Sequence, residues 1–476
     1  MIQIAIRDNE FSYDMRALAQ AFYPEKKCVI REEAGWRQTD GYPFLLEIDG
    51  GSRYEAYVPS PYSKNEVKQK MYELLCEHSG RTLPWGILTG IRPAKIPLRL
   101  FMEGRPEEEI ADALLSEYRC APEKAKLALD VARREYALTA GMDHENGINI
   151  YIGIPFCPSI CAYCSFSSYP ASRYGDQMEA YLDALERELA YAGEAVRGRT
   201  LRTVYIGGGT PTALREDAFV RLLRMIERYL PMNDVQEYTV EAGRPDSISR
   251  EKLCCMKEYG VSRISINPQS MKQHTLGLLG RKHTVDDVRR VFDMSRELGF
   301  DNINMDLIVG LPEETPSDLQ YTLEEVYRMQ PDSITVHTLV IKRASRMRRE
   351  QLESGREISE KDDRIPAMQQ MAENFCRERG YAPYYMYRQK NKAYTTRNTN
   401  QENVAYARPG KECLYNIFMM EELETILALG SGGSTKYVIG GENRVERVEN
   451  VKNVEDYISR IDEMIERKKR GGKLWH

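Results

Sequence analysis

The sequence predicts an α/β protein built on a parallel sheet, and two observations carry that expectation. From Gly147 onward six apolar runs, NIYIGIP, RTVYIGG, EYTVEA, RISINP, NINMDLIVG and SITVHTLVI, alternate with five helical stretches around 176–197, 215–230, 249–259, 284–299 and 316–329. Parallel neighbours need a crossover connection, which a helix supplies, so this alternation makes the sheet parallel. The second observation is that Gly207-Gly208-Gly209, Glu241, Gln269 and Asp306 fall at or just past the ends of those runs. Right-handed crossovers leave such a sheet as an open or partial barrel or as a doubly wound layer, and in either case reactive groups belong at the carboxyl ends of the strands.

The flanking elements follow in order. Residues 1–60 read as a small α/β domain, with MIQIAI, KCVIRE, PFLLEID and YEAYVPS as short strands around a helix near Ser12–Tyr23. Residues 61–146 turn helical in VKQKMYELLCE, EEEIADALL and KAKLALDVARREYAL, interrupted at Pro84–Pro93. The core spans 147–350. Beyond it, 351–476 reads as a small closing α+β domain with a helix near 362–379, the aromatic and basic stretch YAPYYMYRQKNKAY, a glycine-rich turn and a charged helix over 454–470.

Composition narrows the function classes. The 476 residues carry 67 Lys and Arg against 72 Asp and Glu, a net charge of -5, and 42% hydrophobic residues, the profile of a chain that buries real cores. No apolar run reaches the roughly 18 residues of a membrane span, and the charged start MIQIAIRDNEFSYD does not resemble a signal peptide. We therefore expect a cytoplasmic protein with no membrane and no nucleic-acid partner.

Seven of the ten cysteines are scattered, but Cys157, Cys161 and Cys164 lie within eight residues. A cysteine with partners at both +4 and +7 arises by chance with a probability of about 0.004. Three thiolates on a loop directly after a strand leave one metal position open. Structural zinc wants four closed ligands, and the next histidine is His274. An iron–sulfur cluster with one non-protein ligand fits better, with three reduced core cysteines as the bland alternative.

The other candidates are less specific. Gly207-Gly208-Gly209-Thr210 is neither a Walker loop nor a dinucleotide fingerprint, but glycines there let a ligand approach the backbone closely. Glu241 and Asp306 each end an apolar run, where a carboxylate needs a cation or donor. Gln269 and Arg281 flank the turn after the fourth run. Arg343, Arg346, Arg348 and Arg349 form a basic cluster after the sixth, read either as a solvated helix start or as a mouth for a polycarboxylate. His337 reads as a core histidine, and Tyr384, Tyr385, Tyr387 and Tyr394 as core or as a stacking surface.

The cysteine loop, with an aromatic residue before its last cysteine, resembles the signature of radical S-adenosylmethionine (SAM) enzymes. The ordered series YIGIPFCPSICAYCSF, GGGTPT, VEAGRPD, INPQS followed by GRKH, and MDLIVGLPEET is similar to that of the oxygen-independent coproporphyrinogen III oxidase family, and YARPGKE and LGSGGSTK extend the likeness. The additional N-terminal region resembles the coproporphyrinogen dehydrogenase branch. The resemblance implies a partial (β/α)6 TIM-type radical SAM barrel with an extra N-terminal α/β plus helical region and a small C-terminal α+β domain. It implies a [4Fe-4S] cluster on Cys157, Cys161 and Cys164 with SAM on the fourth iron. Tyr151 would approach both, Tyr163 would pack on the adenine, Gly208, Gly209, Thr210 and Glu241 would bind the methionine amino end, and Gln269, Arg281 and Asp306 would fix the carboxylate and ribose.

The implied reaction is radical decarboxylation of coproporphyrinogen III propionates to vinyls, giving protoporphyrinogen IX, with an electron donor such as a flavodoxin-like protein. The four arginines after the sixth run would meet substrate carboxylates. Two departures stand out. Ser165-Phe166 replaces a further cysteine of the decarboxylase branch, and Leu414-Tyr415-Asn416-Ile417-Phe418 lacks the histidine of the family's haem chaperones. A haem-binding chaperone, a haem-modifying radical enzyme and a structural zinc protein are the competing expectations.

Overall fold

The computed structural model describes residues 1–164, 168–339, 364–389, 401–440 and 444–475. They divide into two compact units, one of residues 1–137 with 386–389 and 401–403, the other of residues 138–339, 364–385 and 404–475.

In the first unit, β1 (Ile2–Ile6) pairs in parallel with β2 (Cys28–Glu32) and antiparallel with β3 (Tyr42–Ile48), which turns back into β4 (Ser52–Val58). Helix α1 (Ser12–Phe22) covers the sheet with Met15, Leu18, Ala19 and Phe22 buried. Helix α2 (Lys64–Ser79) begins at a capping box between Ser63 and Glu66 and stops at left-handed Gly80. Helices α3 (Lys95–Met102), α4 (Glu107–Ser116) and α5 (Pro122–Thr139) follow. Fully buried Trp85 donates its indole N–H to Glu402, which also receives Lys124 Nζ at 2.7 Å.

The second unit holds the predicted core. Strands β5 (Gly147–Ile154), β8 (Thr200–Gly208), β9 (Glu237–Gly243), β10 (Arg263–Ile266), β11 (Ile303–Val309) and β12 (Ser333–Thr338) lie side by side in sequence order, all parallel. Between them run α6 (Gly175–Ala195), α7 (Glu216–Tyr229), α8 (Arg250–Glu258), α10 (Val285–Glu297) and α11 (Pro316–Met329), close to their expected bounds, while the short α9 (Gln273–Leu278) was not anticipated. Two tiny strands, β6 (Phe156–Cys157) and β7 (Tyr169–Pro170), pin the base of the cysteine loop.

The six parallel strands do not close on themselves. β13 (Ala382–Arg388) and β14 (Glu402–Ala407) continue the sheet at one side, with β14 antiparallel to β12. At the other side β15 (Thr425–Leu429) lies parallel to β5, followed by β16 (Ser434–Ile439) and β17 (Arg444–Glu449). The result is an open α/β sheet rather than a doubly wound one. The final charged helix is two, Val454–Ser459 and Ile461–Gly471, because Arg460 leaves helical dihedrals at φ -115 and ψ 24.

Candidate functional site

Strand β5 delivers the cysteine loop. Its entry is fixed by backbone bonds from Gly209 N to Ile154 O at 2.8 Å and from Thr210 N to Phe156 O at 2.7 Å, its far side by Ala162 N to Leu279 O at 3.0 Å. Cys157 and Cys161 are buried and Cys164 is half-buried. Thr210 Oγ1 donates to Cys157 Sγ at 3.5 Å. Burial pushes the Cys157 thiol up to about 11 despite that bond, so a metal must displace its proton to make the thiolate. Among the described residues no three His, Cys, Asp or Glu side chains converge closely enough to hold one metal ion.

The glycines after β8 are demanded by the fold itself. Gly208 has φ +105, and a Cβ on Gly209 would lie 2.6 Å from Phe156 O and 2.9 Å from Ile154 O. A Cβ on Gly207 would meet Glu241 Oε2 at 2.7 Å. This close approach lets Gly208 N donate to Glu241 Oε2 at 3.3 Å, while Tyr205 Oη donates to Oε1 at 2.5 Å. Burial raises the Glu241 carboxyl to about 7, and both donors work against that rise. Tyr205 also belongs to a cluster of near-parallel rings, 6.2 Å from Tyr151 and 4.4 Å from Tyr415, which lie 6.1 Å from each other.

A second group lies after β10. Gln269 adopts φ +68, and its backbone bridges to β11 through Asp306 O and Ile308 N. Arg281 donates to Asn267 O at 2.5 Å and to Tyr163 Oη at 3.2 Å. Asp306 accepts from Asn304 Nδ2 at 2.7 Å and faces His337 Nε2 at 3.7 Å. Burial alone would raise Asp306, but His337 and Asn304 hold it below the ordinary carboxylate range. The Asn304 amide is itself oriented: Ser333 and Thr335 hydroxyls donate to its Oδ1 at 3.0 and 2.9 Å, which leaves its NH2 for Asp306.

Three sequence expectations need correction. Glu241 and Asp306 do not end their strands, since β9 runs on to Gly243 and β11 to Val309; the pairing with Thr338 of β12 sustains the second extension. His337 is no core histidine, because its side chain is 31% exposed beside Asp306. The residues missed by sequence reasoning are Tyr205, Tyr415, Asn304 and Arg244. Of these Tyr205 left a sequence signal, matching Tyr151 in the corresponding run and pairing with it in register, while Arg244 and Tyr415 stand in quoted stretches that gave them no role. Arg343, Arg346, Arg348, Arg349, Ser165, Phe166 and Tyr394 lie outside the described residues. Tyr384 and Tyr385 are buried.

The contacts thus join Tyr151, Cys157, Gly208, Gly209, Thr210 and Glu241 into one group and Tyr163, Gln269, Arg281 and Asp306 into another. In the second group the Gln269 Oε1, Asn267 Oδ1 and Arg281 Nε atoms are buried without a hydrogen-bond partner. Such atoms are costly unless a ligand completes them.

Residues 151–326 match the model of the radical SAM superfamily. Over 412 residues the chain is 38% identical to the oxygen-independent coproporphyrinogen-III oxidase-like protein HemZ of Bacillus subtilis, a match that takes in 85% of this chain and 80% of that one. The chain belongs to the HemZ family of radical SAM proteins. Over 192 residues it is also 39% identical to the heme chaperone HemW of Bacillus subtilis, covering 40% of this chain and 50% of that one. Among solved structures, coproporphyrinogen III oxidase (HemN) from Escherichia coli superposes with a TM-score of 0.54 at 22% identity, over 71% of this chain and 73% of that one. That likeness supports the fold, an open α/β sheet shared with a radical SAM enzyme. Among the described residues no helix is long and apolar enough to cross a membrane.

The residues fit the cofactors of this superfamily. The three thiols stand on one loop, and a glycine edge and the unpartnered buried atoms of Asn267, Gln269 and Arg281 lie on the same side of the sheet.

Proposed function

We propose that this HemZ-family protein is a radical SAM oxidoreductase that decarboxylates coproporphyrinogen III propionates to vinyls. The observation that carries the reading is the coincidence of three thiols on one loop with unpartnered buried polar atoms at the same edge of the sheet. Cys157, Cys161 and Cys164 would hold the [4Fe-4S] cluster, which together with bound SAM supplies a 5′-deoxyadenosyl radical on one-electron reduction. Gly208, Gly209 and Thr210 would receive the methionine amino end, with Glu241 as its counter-charge. Its partly ionised state near pH 7 follows from burial. Arg281 would use its unpartnered Nε for the carboxylate, and Gln269 its Oε1 for a hydroxyl donor. Asp306, held ionised and aimed by Asn304, is an acceptor for the ribose hydroxyls. Tyr163 would pack on the adenine and Tyr151 would face the cluster and the methionine.

Arg343, Arg346, Arg348 and Arg349 would meet the carboxylates of the tetrapyrrole, and a flavodoxin-like protein is the proposed electron donor in the cytoplasm. The 39% identity to a heme chaperone over 192 residues favours one second reading, haem binding with the cluster in a regulatory role.

Anaerobic turnover of the reconstituted protein with dithionite, SAM and coproporphyrinogen III tests both readings. 5′-Deoxyadenosine appearing with stepwise loss of tetrapyrrole carboxylates is the expected result. Stoichiometric haem retention with untouched coproporphyrinogen would replace it with the chaperone reading.

A further inference from the structure

Arg244 is 3% exposed and has no role in the cofactor assignments above. It follows β9 within the VEAGRPD stretch. Its Nε and Nη2 hold the two oxygens of Asp246 at 2.9 and 2.6 Å, a bidentate fork that fixes the plane of the group. The remaining Nη1 therefore turns onto the cysteine loop, donating to Ser159 O at 3.0 Å and Ser159 Oγ at 2.8 Å and reaching Cys161 Sγ at 3.9 Å. His283, whose ring is buried, backs Asp246 at 3.7 Å. Cys161 is thus the cysteine of the loop that a guanidinium N–H reaches, while Cys157 receives a neutral hydroxyl and Cys164 lies 3.9 Å from the Ser168 hydroxyl.

We propose that Arg244 is a positioning residue which, held by Asp246, directs an N–H at the Cys161 sulfur and so sets the potential at which the cluster accepts an electron. The inference rests on Cys161 being a cluster ligand. Its physics is electrostatic. Uptake of one electron makes the cluster more negative, and hydrogen bonds and positive charge at a ligating sulfur favour that reduced form. Asp246 opposes the effect, since its carboxylate offsets the Arg244 charge at short range, and without it the two Ser159 bonds still hold Nη1 against the loop. Loss of the arginine and loss of the aspartate therefore push the potential in opposite directions, whereas a pair that only braces the loop has no reason to do so.

The test is an anaerobic dithionite titration of the full chain, reconstituted with iron and sulfide and read by electron paramagnetic resonance, without SAM. Arg244→Gln is expected to make the midpoint more negative, Asp246→Asn to make it more positive, and Arg244→Lys, which keeps the charge and loses the fork, to fall between wild type and the glutamine variant. Shifts of the same sign in Arg244→Gln and Asp246→Asn, or no shift in either, overturn the proposal. Should Arg244→Gln fail to hold a cluster, Asp246→Asn decides alone, and a midpoint at or below wild type overturns it. Iron and sulfide content of Cys161→Ala separates the two levels of inference: a full cluster there removes the ligand assignment, while an absent cluster combined with same-sign shifts removes only the role of Arg244.

Discussion

At the amino ends of the core strands, Glu424 is enclosed by Arg202 Nε at 2.5 Å, Asn149 Nδ2 at 3.0 Å and His144 Nδ1 at 3.0 Å, and nearby Glu237 receives Leu414 N at 2.7 Å and Cys413 Sγ at 3.2 Å. At the carboxyl ends, Glu241 has two donors and an elevated pKa, and Asn267, Gln269, Arg281 and His283 all bury polar atoms with no partner. The amino end is not free of orphans, since Arg263 Nε also lacks a partner, but its carboxylates are closed. An unsatisfied buried polar group costs about 1–3 kcal/mol. One sheet therefore carries an end whose carboxylates are closed and an end whose unsatisfied buried groups cost stability.

Mutation of each end should separate these roles. Cys161→Ala, at the open end, is expected to abolish cluster chromophore and SAM cleavage while the circular dichroism spectrum stays that of the wild type. Glu424→Ala, at the closed end, leaves Arg202 buried at 7% side-chain exposure without its counter-charge. Chemical denaturation should show a loss of roughly 3–5 kcal/mol, with SAM cleavage per folded molecule retained. Gly209→Ala forces a methyl group against two loop carbonyls. It should weaken SAM binding in equilibrium dialysis about tenfold at a stability cost of roughly 1–3 kcal/mol; unchanged binding would mean that the loop tolerates displacement.

The smallest effect concerns pH. Glu241 titrates near 7 in the folded chain against an ordinary 4.5, so the folded state holds this proton more tightly than the unfolded one. Its contribution to stability is complete below about 4.5 and is lost as the pH rises through about 7. Glu241→Gln should flatten that decline in melting temperature across the interval, and an unaltered slope would place the titration elsewhere.

Much of this division was legible in the sequence. Strict strand and helix alternation announces the six core strands, and the +4 and +7 cysteine spacing marks the open end. The partners of β15 and β14 were not legible, because nothing local tells Thr425–Leu429 that it pairs with β5 or Glu402–Ala407 that it runs antiparallel to β12. The same limit hid Tyr415, whose ring joins Tyr151 and Tyr205 only once the distant helix Leu414–Glu421 has docked. Arg244 and Asn304 were hidden differently. What the side chain reaches, Ser159 and Cys161 for Arg244 and Ser333 and Thr335 for Asn304, is contributed by other strands and loops.

The pairing of β15 with β5 also has a consequence for how the protein is made. Asn149 and Ile426 are register partners, so at roughly 5–20 residues per second of translation the first core strand waits on the order of 15–60 s for its outer neighbour. Throughout that interval a nascent chain presents the bare edge of β5, a template for pairing with another chain. The thiol loop that the same strand carries stands beside it. A chain that stops short of Thr425 lacks the strand that pairs with this edge of β5.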